Sequence, residues 1–263
     1  MLLSSVILIS REVLEAAILI SLLITLSLNL RLSIRWLLYA VLPISLGIAG
    51  LVHFNVPITQ ALDGVGQEVS NATLQLLIYC LVVVLGIAIT SSKPALSKHR
   101  MAILRGLMVA IVSCSSIREG SEILIFITGF AGDDDLRNSV YIGSAIGAGI
   151  GISLAVLIFA GLRTLQPATT YQVVLLLLSL IAAGMVMQTT NLLQQANWFP
   201  SSQPFWDSSQ LLSEHSVMGE LLNNVFGYES TPSINQLAAY CISLMVLGIA
   251  WTCSSLSGNS EKH

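Results

Sequence analysis

Two short clusters of charge interrupt an otherwise apolar chain: Arg11, Glu12 and Glu15, and then Arg118, Glu119 and Glu122. Residues three and four apart share a helix face, so Glu12 is expected beside Glu15 with Arg11 reaching Glu15, and the second cluster repeats the arrangement. Each cluster then offers two carboxylates and one guanidinium to one side. Four carboxylates against two guanidinium groups leave about two negative charges for protons or a cation to balance. Neither cluster contains a histidine or a thiol, and oxygen-only donors suit hard, poorly polarisable cations. Glutamates projecting from facing helices are also how four-helix carboxylate proteins hold iron. A proton relay and plain ion pairing between helices are competing readings of the same residues. A membrane-embedded di-iron oxidoreductase is another, weakened by the absence of Glu-x-x-His pairs.

The elements that carry these clusters must live in lipid. Of 263 residues, 54% are hydrophobic and only 10% charged. The mean hydropathy is +0.82, which does not describe a water-facing surface. Crossing a bilayer takes roughly 20 consecutive apolar residues, and non-alternating runs of that length predict helices, since backbone groups in hydrocarbon must bond within their own segment. Spans are expected near Leu2 to Leu28, Trp36 to His53, Glu68 to Thr90, Met101 to Phe130, Val140 to Leu162, Tyr171 to Trp198 and Gln236 to Ser254. This is an all-α polytopic membrane protein of about seven transmembrane helices. The first run lacks a basic leader and meets Arg11 before any cleavage pattern, so it reads as a span and not a signal peptide. An ionised side chain near mid-bilayer costs at least about 2.5 to 3.5 kcal/mol on insertion scales, and each cluster places three such groups within five residues.

Charge asymmetry sets the expected orientation. Arg31, Arg35, Lys93, Lys98, Arg100, Arg105 and Arg163 flank alternate connections, whereas Asp63, the triplet Asp133, Asp134 and Asp135, and the segment from Pro200 to Asn235 lie on the others. Basic loops face the cytoplasm, so the N-terminus is expected outside and the C-terminus inside the cytoplasmic membrane. Three spans separate the two charged clusters, so the second points the opposite way, as in inverted transporter repeats with the site where the halves meet. The single permease domain, 1–263, then divides into repeats over 1–99 and 100–198, an outer interfacial segment over 199–235 and a last helix over 236–256. Gly143, Gly147 and Gly151, at four-residue spacing, predict a groove for close helix packing. Trp198, Trp206, Leu211, Leu212, Val217, Leu221, Leu222 and Phe226 suggest a short amphipathic helix at the interface. Cys80, Cys114, Cys241 and Cys253 lack metal-site spacing and read as buried thiols. A net charge of −3 gives no reason to expect nucleic acid, and no motif specifies an oligomeric state.

At the charged clusters the sequence resembles the high-affinity iron permeases of fungi and their bacterial EfeU-type relatives, whose signature is an REXXE motif in the first and fourth transmembrane helices. Here it reads Arg11-Glu12-Val13-Leu14-Glu15 and Arg118-Glu119-Gly120-Ser121-Glu122. Gly64-Val65-Gly66-Gln67-Glu68, Ala182-Ala183-Gly184-Met185, Trp206-Asp207-Ser208-Ser209 and Gly227-Tyr228 also look like the bacterial branch. The resemblance implies seven spans and iron uptake, with Glu12, Glu15, Glu119 and Glu122 binding the ion in transit and Arg11 and Arg118 supporting them. Iron is then substrate, with no resident cofactor expected, and the chain is not an enzyme. The resemblance also implies that the transported ion is ferric, and that a separate oxidase or periplasmic iron-delivery protein is the partner. A permease for another cation, such as lead or manganese, is the alternative.

Outside the motifs, Asp63, Gln67 and Glu68 are candidates for an entrance, or Glu68 for a helix cap. Asp133, Asp134 and Asp135 either gather cations or form a solvated loop. Ser113, Cys114, Ser115 and Ser116 lead toward Arg118 as a candidate polar path. Gln188, Asn191, Gln194 and Gln195 polarise one side of the sixth span and are expected to hydrogen-bond across helices.

Overall fold

The computed structural model describes residues 1–90, 98–130, 132, 134–200, 202–213, 216, 218–219, 222–223 and 227–260. Its elements are α1 (Leu2–Asn29), α2 (Trp36–His53), a short α3 (Asn55–Gln60), a 3-10 turn (Leu62–Gly64), α4 (Gly66–Thr90), α5 (Lys98–Gly129), α6 (Asp134–Thr164), α7 (Pro167–Gln195) and α8 (Ile234–Ser260). Six of these, α2 and α4 to α8, are long and apolar enough to cross a membrane. The first helix is not among the six, although at 28 residues it reaches roughly 42 Å. Seven helices of 18 residues or more are therefore present among the described residues, each overlying an expected span, with ends that differ by up to six residues at the start of α6 and the end of α8. The short α3 and the turn behind it, where Asp63 and Gly64 both take positive φ, were not legible in the sequence.

Enclosure differs sharply between helices. Ile18, Leu19, Leu22, Leu23 and Leu26 of α1 are buried and join Ile78, Val82 and Leu85 of α4 and Leu104, Met108 and Ile111 of α5 in one apolar core. By contrast α2 leaves Leu38, Tyr39, Leu42 and Leu46 exposed, as a helix facing lipid must. The indole of Trp36 is buried with its N–H donated to Ser27 Oγ at 3.1 Å, which anchors α2 beneath the end of α1.

The closest backbone approach is the one the glycine spacing predicts. A Cβ added at Gly143 would lie 2.7 Å from the Leu2 carbonyl oxygen, at Gly147 2.6 Å from that of Val6, and at Gly151 3.0 Å from that of Ser10. No larger residue fits, so α6 carries α1 along a glycine seam with both helices running the same way. A similar contact joins α2 to α5, where a Cβ at Gly120 would meet Ile48 and one at Gly47 would meet Ile117. Each half therefore packs its helices on the other half: α1 on α6, and α2 on α5.

One expectation needs correction. Cys80, Cys241 and Cys253 are exposed and Cys114 is half-buried; an apolar run does not say which face is turned to lipid and which to protein. In the segment after α7, where a short helix is expected, Leu222 falls on helical backbone. Among its described residues only 218–219 and 222–223 are helical, while Val217, Leu221 and Phe226 lie outside the described residues. The segment also forms a folded cap. Phe205 N–H donates to Pro232 O at 2.8 Å and Ser208 N–H to Ser230 O at 2.9 Å, pairing its beginning with its end. Asp207 accepts hydrogen bonds from Ser209 N–H and Oγ–H, which hold its carboxyl below the usual aspartate range. Ser208 Oγ lies 2.8 Å from Tyr228 Oη, and Tyr228 Oη donates to Leu212 O. Gly227, at φ +68, lies so close to α7 that a Cβ there would come 2.6 Å from Gly184 Cα. Gly184 is eleven residues before the end of α7 at Gln195, roughly 16 Å along its axis, so the cap dips well into the bundle.

Candidate metal centre

Glu12 follows the start of α1 by ten residues and Glu119 precedes the end of α5 by ten, so each sits roughly 15 Å along its helix from the same end of the bundle. Carboxylate oxygens of Glu12, Glu119 and Glu122 all lie within 4.8 Å of one another. Glu12 and Glu119 are each only 1% exposed. The two REXXE clusters meet across α1 and α5, which is why neither helix alone shows the site.

The pairing differs from the one helix spacing suggests. Arg11 donates to its neighbour Glu12 Oε1, through Nη2 at 2.6 Å and Nε at 3.0 Å, and comes only within 3.9 Å of Glu15. Arg118 crosses to the other helix, donating through Nη2 to Glu15 Oε2 at 2.7 Å. The same nitrogen lies 2.8 Å from Glu119 Oε1, close enough for charge but without the angle of a hydrogen bond. Glu15 is thus held by Arg118, while the other three glutamates gather together. Several buried polar atoms have no hydrogen-bond partner among the described residues: Glu12 Oε2, both oxygens of Glu119, and Nε and Nη1 of Arg118. Orphaned carboxylate oxygens in a protein interior are costly, and here they converge.

Above the cluster lies a cavity of about 720 Å³, opening where α1 and α4 begin and α5 and α7 end. Beyond the motif residues its walls are largely carboxamides and acids: Gln67, Glu68, Asn71 and Gln75 from α4, Gln188, Asn191 and Gln195 from α7, and Asn223 and Glu229 from the cap. Glu68 Oε2 is buried without a hydrogen-bond partner. Asn71 Nδ2 donates to Glu122 Oε1 at 2.9 Å. Gln75 Nε2 donates to Gln188 Oε1 at 2.7 Å and accepts from Thr189 Oγ1, and Gln188 passes the chain on to Asn223. The expected cross-helix role of Gln188 is therefore met, whereas Gln194 turns to Pro200 O and Ser233 Oγ in the cap.

Below, the cavity ends. Glu15 and Gln188 share a remnant of about 10 Å³ with Ile18, Ile181 and Met185, room for no more than about one water. A separate cavity of about 400 Å³ opens at the other end, beside Thr25, Asn29, Arg31, Arg163 and Thr170. Buried Leu22, Leu26, Val82 and Leu178 belong to the apolar core of these helices.

Among the sequence candidates, Gln67 and Glu68 line the large cavity and Asp63 does not. Asp133 lies outside the described residues; Asp134 and Asp135 are described only as the first backbone positions of α6, their side chains outside the description. Ser113 and Ser115 are buried with unpartnered hydroxyls, while Cys114 and Ser116 are half-buried. Asn71, Gln75, Asn223 and Glu229 escaped the sequence reading. The first two had a signal in the polar stripe Gln67, Asn71, Gln75 at helical spacing; the last two depend on how the cap folds.

Long apolar helices around a one-sided, carboxylate-lined cavity define a multi-pass membrane protein of the transporter class. The chain belongs to the Iron permease FTR1 family, whose profile matches residues 2–257. These are permeases and not enzymes. Among curated proteins it is similar to the "Ferrous iron permease EfeU" of Yersinia pestis, 29% identical over 143 residues, covering 52% of this chain and 49% of that protein. The protein of the same name from Shigella flexneri is 26% identical over 152 residues, covering 57% of this chain and 64% of that one. A "Putative inactive ferrous iron permease EfeU" of Escherichia coli (strain K12) is likewise 26% identical over 152 residues, 57% of this chain and 55% of that protein. The chain thus spans from about half to just under two thirds of the length of these relatives. No solved structure is significantly similar to the chain.

Proposed function

We propose that this chain carries iron across the cytoplasmic membrane, taking it from the large cavity onto Glu12, Glu119 and Glu122. The observation that carries this reading is the convergence of three buried carboxylates from two helices within 4.8 Å, at the closed end of a cavity open on one side. The two guanidinium groups leave these oxygens unpaired, and a cation satisfies all of them at once where a proton shared between Glu12 and Glu119 would satisfy only that pair. Arg11 and Arg118 limit the negative charge of the empty site, and Glu15, held by Arg118 at the cavity floor, is the next carboxylate on the way through. The two basic residues at the opposite end, Arg31 and Arg163, support a cytoplasmic placement of that end, with the N-terminus outside. The exchange of helices between halves supports an inverted 3+3 repeat followed by α8.

An oxygen-only donor set suits the harder ferric ion, supplied by a separate oxidase or periplasmic delivery protein, whereas the relatives' names specify ferrous iron. Radiolabelled iron uptake into proteoliposomes tests the permease directly. Glu15→Ala and Glu119→Ala each abolish uptake on this reading, and unchanged uptake in both removes it. Uptake of ferrous but not ferric iron overturns only the oxidation state, and stronger uptake of manganese or lead in competition reassigns the cargo.

A further inference from the structure

Among the groups around the glutamates, one belongs to neither motif yet touches the site. Asn71 of α4 donates its amide to Glu122 Oε1 at 2.9 Å, and α4 thereby makes the polar contact from a third helix to the carboxylate cluster. With Glu122 ionised the amide must be the donor, since the reversed carboxamide would set two oxygens facing each other at that distance. The other end of the group, Oδ1, takes no hydrogen bond among the described residues, and Asn71 lines the large cavity. Its two faces therefore have separate tasks, one spent on Glu122 and the other left to whatever occupies the cavity.

Glu122 needs such support. Glu12 is held by Arg11 and Glu119 lies against Arg118 Nη2, whereas no salt bridge to Glu122 is found among the described residues. We propose that Asn71 is a positioning residue of the ion site: it fixes Glu122 as the third carboxylate and offers its own Oδ1 as a neutral oxygen to the arriving ion. This inference rests on the permease reading above. A neutral oxygen there adds a ligand without adding negative charge, which keeps the ion releasable where a fourth carboxylate would hold it. The contact also ties α4 to the occupancy of the site.

Asn71→Leu keeps the shape and removes both functions; Asn71→Gln keeps the carboxamide on a longer stem. Iron uptake in proteoliposomes, with KM and maximal rate separated, is measured beside equilibrium binding of radiolabelled iron to the monodisperse detergent-solubilised protein. Loss of a hydrogen bond to a charged group predicts about a tenfold rise in KM and in the iron dissociation constant for Asn71→Leu, with the melting temperature of the iron-free protein retained. Asn71→Gln recovers most of the affinity. The proposal is overturned if Asn71→Leu binds and transports iron like the parent, if it loses melting temperature and maximal rate with KM unchanged, or if Asn71→Gln behaves like Asn71→Leu. Glu119→Gln in the same assay separates the two readings. If it abolishes uptake while Asn71→Leu does not matter, only the role of Asn71 fails; if it leaves uptake intact, both fail.

Discussion

Replacing Glu12 by Gln distinguishes an ion site from a structural ion pair by opposite signs on two measurements. In the empty site Glu12 faces Glu119 and Glu122 with carboxylate oxygens no more than 4.8 Å apart. At an effective permittivity of about 20 each like-charge contact at that distance costs about 3.5 kcal/mol. Against this stands the attraction to Arg11, whose guanidinium is 44% exposed and also within 3.9 Å of Glu15, so it is not stranded when Glu12 becomes neutral. A glutamine oxygen can still accept from Arg11. The iron-free Glu12→Gln protein is therefore expected to melt at the same temperature or higher. The ion loses a unit charge at contact distance, about 4 kcal/mol per unit of its own charge at 4 Å and the same permittivity. Taking half of that as realised still predicts at least a thirtyfold loss of affinity. The assay is thermal unfolding of the purified protein with and without iron, in which the parent is stabilised by the ion and the variant is not. A variant that unfolds several degrees lower without iron, yet keeps the full iron-dependent rise, would falsify the argument and leave the carboxylates as interhelical glue.

Other outcomes follow from the same geometry. Gly147→Ala drives a Cβ to 2.6 Å from the Val6 carbonyl and should destabilise the protein by about 1 to 3 kcal/mol, read as a lower melting temperature; Gly161→Ala, with open space around it, is the neutral control. Arg118→Met removes the cation shared by Glu15 and Glu119 and should cost about 3 to 5 kcal/mol, with uptake lost at every iron concentration. Tyr228→Phe breaks the contacts to Ser208 and Leu212 and should lower stability by about 1 kcal/mol, with a larger fall in uptake if the cap shapes the cavity.

The helices were legible because lipid demands long uninterrupted apolar runs, and α2 begins and ends where hydrophobicity alone places it. The end of α7 was read three residues late, at the interfacial Trp198, although Asn197 has already turned to positive φ. Helical spacing found the six motif residues and the Arg11–Glu15 pair but misassigned the partner of Arg118, which prefers a carboxylate on another helix to the Glu122 one turn along its own. The thiols were misread for a simpler reason: a cysteine facing hydrocarbon and one facing the core share the same neighbours in sequence. The family-like stretches at Gly184, Trp206 to Ser209 and Gly227 to Tyr228 looked unrelated until the cap brought Gly227 onto Gly184 and Tyr228 onto Ser208.

The glycine seam bears on how the molecule is made. The helix that lies against α1 is α6, and the guanidinium that reaches Glu15 sits on α5. A ribosome delivers α1, α2 and α4 to the bilayer well before either partner exists. During that interval the nascent first span lacks its groove, and its Glu15 has only the more distant Arg11 for a counter-charge. Some other surface, whether the insertion machinery or the lipid–water boundary, must shelter it until the second half of the chain arrives.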